Sequence, residues 1–267
     1  MHNFDREFWE QHWHERNEQH GTPNEQASPA NPYLAQETAS LTPGTALDAG
    51  CGTGTEAIWL ASQGWQVTGA DISSTALEAA RQATVNAAAA GQNVADRLTW
   101  VEADLTVWQP EETFDLVVTN YAHPTIPQLE FYSRLADWVS PGGTLLVIGH
   151  LHGHGDHGDG AHADHAGSAL GHDSHGDSHH GDRPEGRPER DRTPDHSEHN
   201  ADGSATHDNA TSALHPPVES TVTPAEIAAL LPSSDWRIEI SAEYHREFAG
   251  DHPLRLHDAV VRATRIV

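Results

Sequence analysis

Ala46-Leu47-Asp48-Ala49-Gly50-Cys51-Gly52-Thr53-Gly54 is the stretch from which the fold is read. A short apolar strand runs into three glycines at alternate positions. Residues 55–63 then read as a helix, with Ile58, Leu60 and Ala61 apolar, stopped by Gly64. Glycines let the backbone turn sharply and approach a ligand closely. A nucleotide-phosphate loop requires Gly-x4-Gly-Lys-Ser/Thr, and the chain has no Lys. A dinucleotide fingerprint counted from Gly50 and Gly52 requires Gly or Ala where Thr55 stands. Asp48, just before the glycines, suits a ligand with a cationic amine better than a pyrophosphate.

Outward from this turn, strands and helices alternate. Strands are expected at 65–70, 98–101, 114–119 and 144–148. Helices are expected at 4–19, from a cap at Ser73, Ser74 or Thr75 to Gly91, at 127–139 and at 224–231. Thr75 with Glu78 fits a capping box, and Thr223 caps a helix with Pro224 in its first position. Ser140-Pro141-Gly142-Gly143 reads as a turn. Residues 236–244 and 256–264 are late strands with no helix between them. The pattern implies an α/β fold: a doubly wound, mostly parallel, seven-stranded, Rossmann-like sheet with an antiparallel C-terminal hairpin.

Two more acids end strands: Asp71 after the second and Asp104 after the third. Acids at successive strand ends line the crevice where open parallel sheets bind ligands, and an acid at the second accepts ribose hydroxyls. The constellation resembles the class I S-adenosylmethionine-dependent methyltransferases. It looks most like a small bacterial branch related to tellurite and thiopurine methyltransferases, given Phe8-Trp9-Glu10-Gln11-His12-Trp13, Asn31-Pro32-Tyr33-Leu34, Tyr121-Ala122-His123 and Gly149-His150. The resemblance implies S-adenosyl-L-methionine as cofactor. Asp48, Gly50, Cys51, Gly52 and Gly54 would hold its methionine part. Asp71 would hold the ribose, and Ile72, Ala103, Asp104 and Leu105 the adenine. Asn120, after the fourth strand, joins this set. His123 is the candidate base, and His150 either faces the same cleft or begins the segment that follows. Phe8, Trp9 and Trp13 with Asn31-Pro32-Tyr33 are expected to form a partial lid.

Composition bounds the partners. The 267 residues carry a net charge of −26, 22 His and one Cys, Cys51. That balance opposes binding to nucleic-acid backbones and anionic membranes. No apolar run reaches the roughly 18 residues of a membrane span, and the N-terminus does not read as a signal peptide, so a cytoplasmic protein is expected. The charge and the histidines are unevenly spread. Residues 151–217 hold 13 His, 13 Asp/Glu and 4 Arg, with no Phe, Trp, Tyr, Ile, Val or Met. Such a segment is expected to be a disordered insertion. It separates residues 1–150, the lid and cofactor-binding part, from 218–267, which complete the same domain. Its candidate Zn or Ni ligands are His152, His154, His157, His162, His165, His172, His175, His179 and His180. Two functions follow: a methyltransferase acting on a small-molecule acceptor, or a metal-buffering or metal-responsive protein on that scaffold. Neither the acceptor nor the oligomeric state is legible.

Overall fold

The computed structural model describes residues 4–20, 30–151, 221–248 and 254–267. All belong to one unit, Met1–Gly153 together with Ser212–Val267. Five strands run parallel: β1 (Thr45–Ala49), β2 (Gln66–Asp71), β3 (Leu98–Glu102), β4 (Phe114–Asn120) and β5 (Val139–Leu151). β6 (Trp236–Phe248) and β7 (Leu254–Arg265) are antiparallel, β7 pairing with both β5 and β6. The order β3-β2-β1-β4-β5-β7-β6 bears out the seven-stranded, mostly parallel sheet with its closing hairpin.

The helices are α1 (Arg6–His20), α2 (Pro32–Thr38), α3 (Thr55–Ser62), α4 (Ser74–Ala89), α5 (Gln128–Asp137) and α6 (Pro224–Ala229). The central strands are buried on both faces, so they read as continuous apolar runs such as Leu116-Val117-Val118 and Leu145-Leu146-Val147-Ile148. Successive side chains alternate between two cores. Leu116, Val118, Leu146 and Ile148 meet Leu34 of α2 and Leu60 of α3 on one face. Val117, Leu145 and Val147 meet Phe131 and Leu135 of α5 and Ile227 of α6 on the other.

Two expectations are modified. The 140–143 turn lies inside β5, where Phe114 still pairs with Val139 and the register slips before Leu116. The bend needs glycine, because a Cβ on Gly143 would lie 3.0 Å from two β4 carbonyl oxygens, and Gly142 has φ +81. The Thr75–Glu78 capping box does not form; Ser73 caps α4, accepting the Ala76 N–H at 3.1 Å. Thr223 caps α6 as expected, and the structure adds Glu226 as its partner in a capping box. The insertion at 151–217 and its candidate metal ligands, His152 through His180, lie outside the described residues, apart from Leu151.

The winding direction changes between β1 and β4. β2 and β3 lie to one side and the remaining strands to the other. The crevice beyond the C-terminal ends of β1 and β4 is therefore where this topology places a ligand.

Candidate active site

The glycine turn is tied to the end of β2. The Gly50 and Cys51 N–H groups both donate to the Ala70 carbonyl, at 2.8 and 3.1 Å, and Gly54 donates to Cys51 at 2.8 Å. Gly50, Gly52 and Gly54 have φ of +78, +50 and +80, the left-handed region that glycine tolerates. They also lack room for a side chain. A Cβ would stand 2.6 Å from the Ala122 Cβ at Gly50, and 2.8 Å from the Trp13 ring at Gly52. Trp13 thus lies over the turn. Arg6 of the same helix pairs with Glu102 at the end of β3, and Phe4 packs on His123 with ring centroids 5.4 Å apart. α1 therefore covers the strand ends, as a partial lid requires. Asn31-Pro32-Tyr33 opens α2 beside it, with Asn31 capping the Tyr33 N–H at 3.0 Å.

Asp48 is 1% exposed, and its Oδ2 has no hydrogen-bond partner. Asn120, at the end of the adjacent strand, leaves both amide atoms buried and unpartnered. Buried polar atoms are normally satisfied, so these three mark where a polar ligand fits. Asp71 differs: its two oxygens accept N–H groups from Gly52 at 2.8 Å and Ser73 at 2.9 Å, joining the turn to the start of α4. Glu56, in the first turn of α3, is a third acid here that sequence reasoning missed; an acid there reads as a helix-dipole residue. It accepts the Asn31 N–H at 3.2 Å. Burial raises the pKa of all three acids. For Asp48 the Glu56 and Asp71 charges add to it, whereas backbone N–H groups partly offset it at Glu56 and Asp71. Crowded buried carboxylates favour a cation between them.

The adenine-side candidates lie along the next edge. Ala103 and Leu105 are buried and Ile72 is half-buried. The Ala103 N–H donates to the Asp71 carbonyl at 2.8 Å, so this segment is pinned to β2. Asp104 turns its Oδ1 to Thr106, accepting the N–H at 2.9 Å and the hydroxyl at 2.6 Å. Cys51 is buried, which pushes its thiol pKa well up and leaves it unreactive.

Beyond β4, Tyr121 has φ +56 and stacks on His150, with ring centroids 3.9 Å apart. Its hydroxyl accepts from the Asn31 side-chain amide at 3.1 Å and from Arg246. His123 is half-buried, with Nδ1 unpartnered. Burial, with His150 nearby, lowers its pKa to about 4, so it is neutral at pH 7. His150 faces Asp258 and packs among these groups. Among the described residues no three His, Cys, Asp or Glu group as a metal site would need, and no helix is long and apolar enough to cross a membrane.

Residues 46–143 match the family model described as a methyltransferase domain. Trans-aconitate 2-methyltransferase from Rhizobium leguminosarum bv. trifolii is 37% identical over 127 residues, 46% of this chain and 45% of that protein. Probable thiol methyltransferase 2 from Arabidopsis thaliana is 32% identical over 147 residues, 52% of this chain and 60% of that one. The chain thus spans about half the length of these curated relatives. Two solved structures share the fold. Magnesium protoporphyrin IX methyltransferase from Synechocystis PCC 6803, with bound SAH, has a TM-score of 0.50 at 18% identity, covering 87% of this chain and 80% of that one. TehB from Haemophilus influenzae has a TM-score of 0.52 at 13% identity, covering 88% and 62%.

Proposed function

We propose that this chain, which carries a methyltransferase domain over residues 46–143, is an S-adenosylmethionine-dependent methyltransferase acting on a small-molecule acceptor. The observation that carries the reading is the group of unpartnered buried atoms, Asp48 Oδ2 and the Asn120 amide, beside a glycine turn too tight for side chains. The donor set fits the group. Asp48 and Glu56 match an ammonium and a sulfonium. The Asn120 amide serves as donor and acceptor, and the open backbone of Gly50 and Gly52 admits close approach. Asp71 takes the ribose hydroxyls on lone pairs that Gly52 and Ser73 leave over, while Ile72 and Ala103-Asp104-Leu105 wall the adenine. When bound, the cofactor supplies a methyl group on a sulfonium, a good leaving group. The chain's residues then mainly hold acceptor and donor in line and exclude water. His123 lines the acceptor side as a neutral imidazole. Residues 1–150 and 218–267 make up this one catalytic domain.

Asp48→Asn tests the reading, because two effects should move in opposite directions. A carboxylate buried with raised pKa costs the unliganded fold stability at neutral pH, so the variant should melt higher. It should also bind S-adenosylhomocysteine at least about tenfold more weakly by calorimetry, a loss of ~1.4 kcal/mol. Unchanged affinity would remove Asp48 from the site. Failure of the wild-type chain to bind would overturn the function. Methyl transfer to a panel of small acceptors completes the test.

A further inference from the structure

The acceptor side contains a pair that the reading so far does not use. His150 follows the part of β5 that pairs with β4, where Ile148 lies opposite Asn120. Its Nδ1 is 3.1 Å from Asp258 Oδ1, and the Asp258 side chain is fully buried while that of His150 is 14% exposed. The register sets this contact: His150 and Asp258 are directly paired residues of β5 and β7. The other Asp258 oxygen accepts Arg246 Nε at 2.6 Å. Burial acts to raise the Asp258 pKa, but the hydrogen bonds from His150 and Arg246 outweigh it and keep the carboxylate ionised. An ionised carboxylate only accepts hydrogen bonds, so His150 Nδ1 carries a proton, and in the neutral imidazole the lone pair is then on Nε2.

We propose that His150 is the base that takes a proton from a neutral thiol or hydroxyl acceptor, with Asp258 as the positioning residue that fixes its tautomer and offsets the charge it gains. This rests on the methyltransferase reading and adds the acceptor class. As the acceptor X–H bond breaks, its proton passes to His150 Nε2. The freed electron pair forms a bond to the methyl carbon while the carbon–sulfonium bond breaks, leaving a neutral thioether. The imidazolium then faces the Asp258 carboxylate, and the proton later leaves to water. Nothing comparable stands behind His123, whose Nδ1 has no partner. The acceptor is uncharged for a second reason. Arg246, the cation next to the pair, is held by Asp258 and Tyr121, and the nearby Asp48, Glu56 and Asp71 disfavour an anion. An ionised carboxylate acceptor would need no base.

The test uses the full chain with a chelator present, so that metal on the histidine-rich segment plays no part. Acceptors are phenylmethanethiol and phenol, protonated at neutral pH, 4-nitrobenzenethiol, already ionised, and trans-aconitate. His150→Gln should lower kcat for the first two by about 100-fold or more, with little change in KM. It should leave transfer to 4-nitrobenzenethiol and S-adenosylhomocysteine affinity near wild type. Asp258→Asn should lower the same kcat, and the double variant should be no worse than His150→Gln alone. Should Asp258→Asn not fold, nitrogen NMR of the wild-type imidazole decides the tautomer: a protonated Nε2 overturns the pairing. Equal loss for ionised and protonated acceptors makes His150 a wall residue and overturns the base. No loss overturns it too. Turnover of trans-aconitate alone, or of none of the four by a chain that binds S-adenosylhomocysteine, overturns the acceptor class. A chain that does not bind S-adenosylhomocysteine overturns the underlying reading instead.

Discussion

A single methyl group separates two glycines that look alike in the sequence. Gly52 and Gly91 both have left-handed backbone, with φ +50 and +88. A Cβ on Gly52 meets Trp13 at 2.8 Å, whereas one on Gly91 meets nothing within 4 Å. Alanine at either should cost about 1 kcal/mol of stability for the backbone alone. Only Gly52→Ala should also displace the Trp13 ring from the turn, and it should weaken S-adenosylhomocysteine binding about tenfold or more by calorimetry. Gly91→Ala should bind as wild type. Equal effects on binding would detach the Trp13 contact from the cofactor site. The glycine spacing was legible because three φ-positive positions leave a mark in residue type. Asn31 was legible only as one side of a lid. Its actual work, donating to Glu56 through its backbone and to Tyr121 through its side chain, depends on residues 25 and 90 positions away.

At the scale of elements, the lid helix also caps another helix. Glu10 of α1 accepts the Ser74 N–H at 2.6 Å, the Ser74 hydroxyl at 2.9 Å and the Thr75 N–H at 3.2 Å. Glu10 thereby satisfies the Ser74 and Thr75 N–H groups from outside, while Ser73 holds the N-cap and leaves Thr75 inside the helix, so the local Thr75–Glu78 box is not used. No sequence pattern announces a cap supplied from 64 residues away, whereas the Thr223 cap was legible because Pro224, the first helical residue, directly follows it. Burial would raise the Glu10 pKa, but the hydrogen bonds from Thr75 and Ser74 outweigh it and bring it to about 2. A depressed carboxyl pKa stabilises the fold above the ordinary value of 4.5, and the contribution is lost as pH falls toward about 2. Glu10→Gln should therefore cost about 1 kcal/mol near pH 7, the usual worth of a cap. The difference from wild type should shrink as pH falls below 4.5. Urea unfolding at pH 7 and pH 3 measures both, and a difference that grows on acidification would exclude this capping role.

Over the whole molecule, the contacts that order the site tie its two sides together. Glu56 beside the glycine turn holds Asn31, which holds Tyr121, which is held in turn by Arg246 on Asp258. The strand-end acids were legible from an alternating pattern local to each βα unit. The His150–Asp258 pair was not, because its members lie 108 residues apart and meet only through the β5–β7 register, across the long histidine-rich segment. The same electrostatics predict how binding responds to pH. Asp48, Glu56 and Asp71 have pKa values raised by burial. Such groups favour folding while protonated, below their unfolded values, and that advantage disappears as pH rises through the folded values. The unliganded site is thus under most electrostatic strain above that range, and a ligand ammonium relieves most there. S-adenosylhomocysteine at a fixed saturating concentration should raise the melting temperature more at pH 7.5 than at pH 5, because linkage converts tighter binding into stability. Asp48→Asn should flatten that difference. A melting-temperature rise equal at both pH values in the wild-type chain would mean that the acid cluster does not face the cofactor's cation.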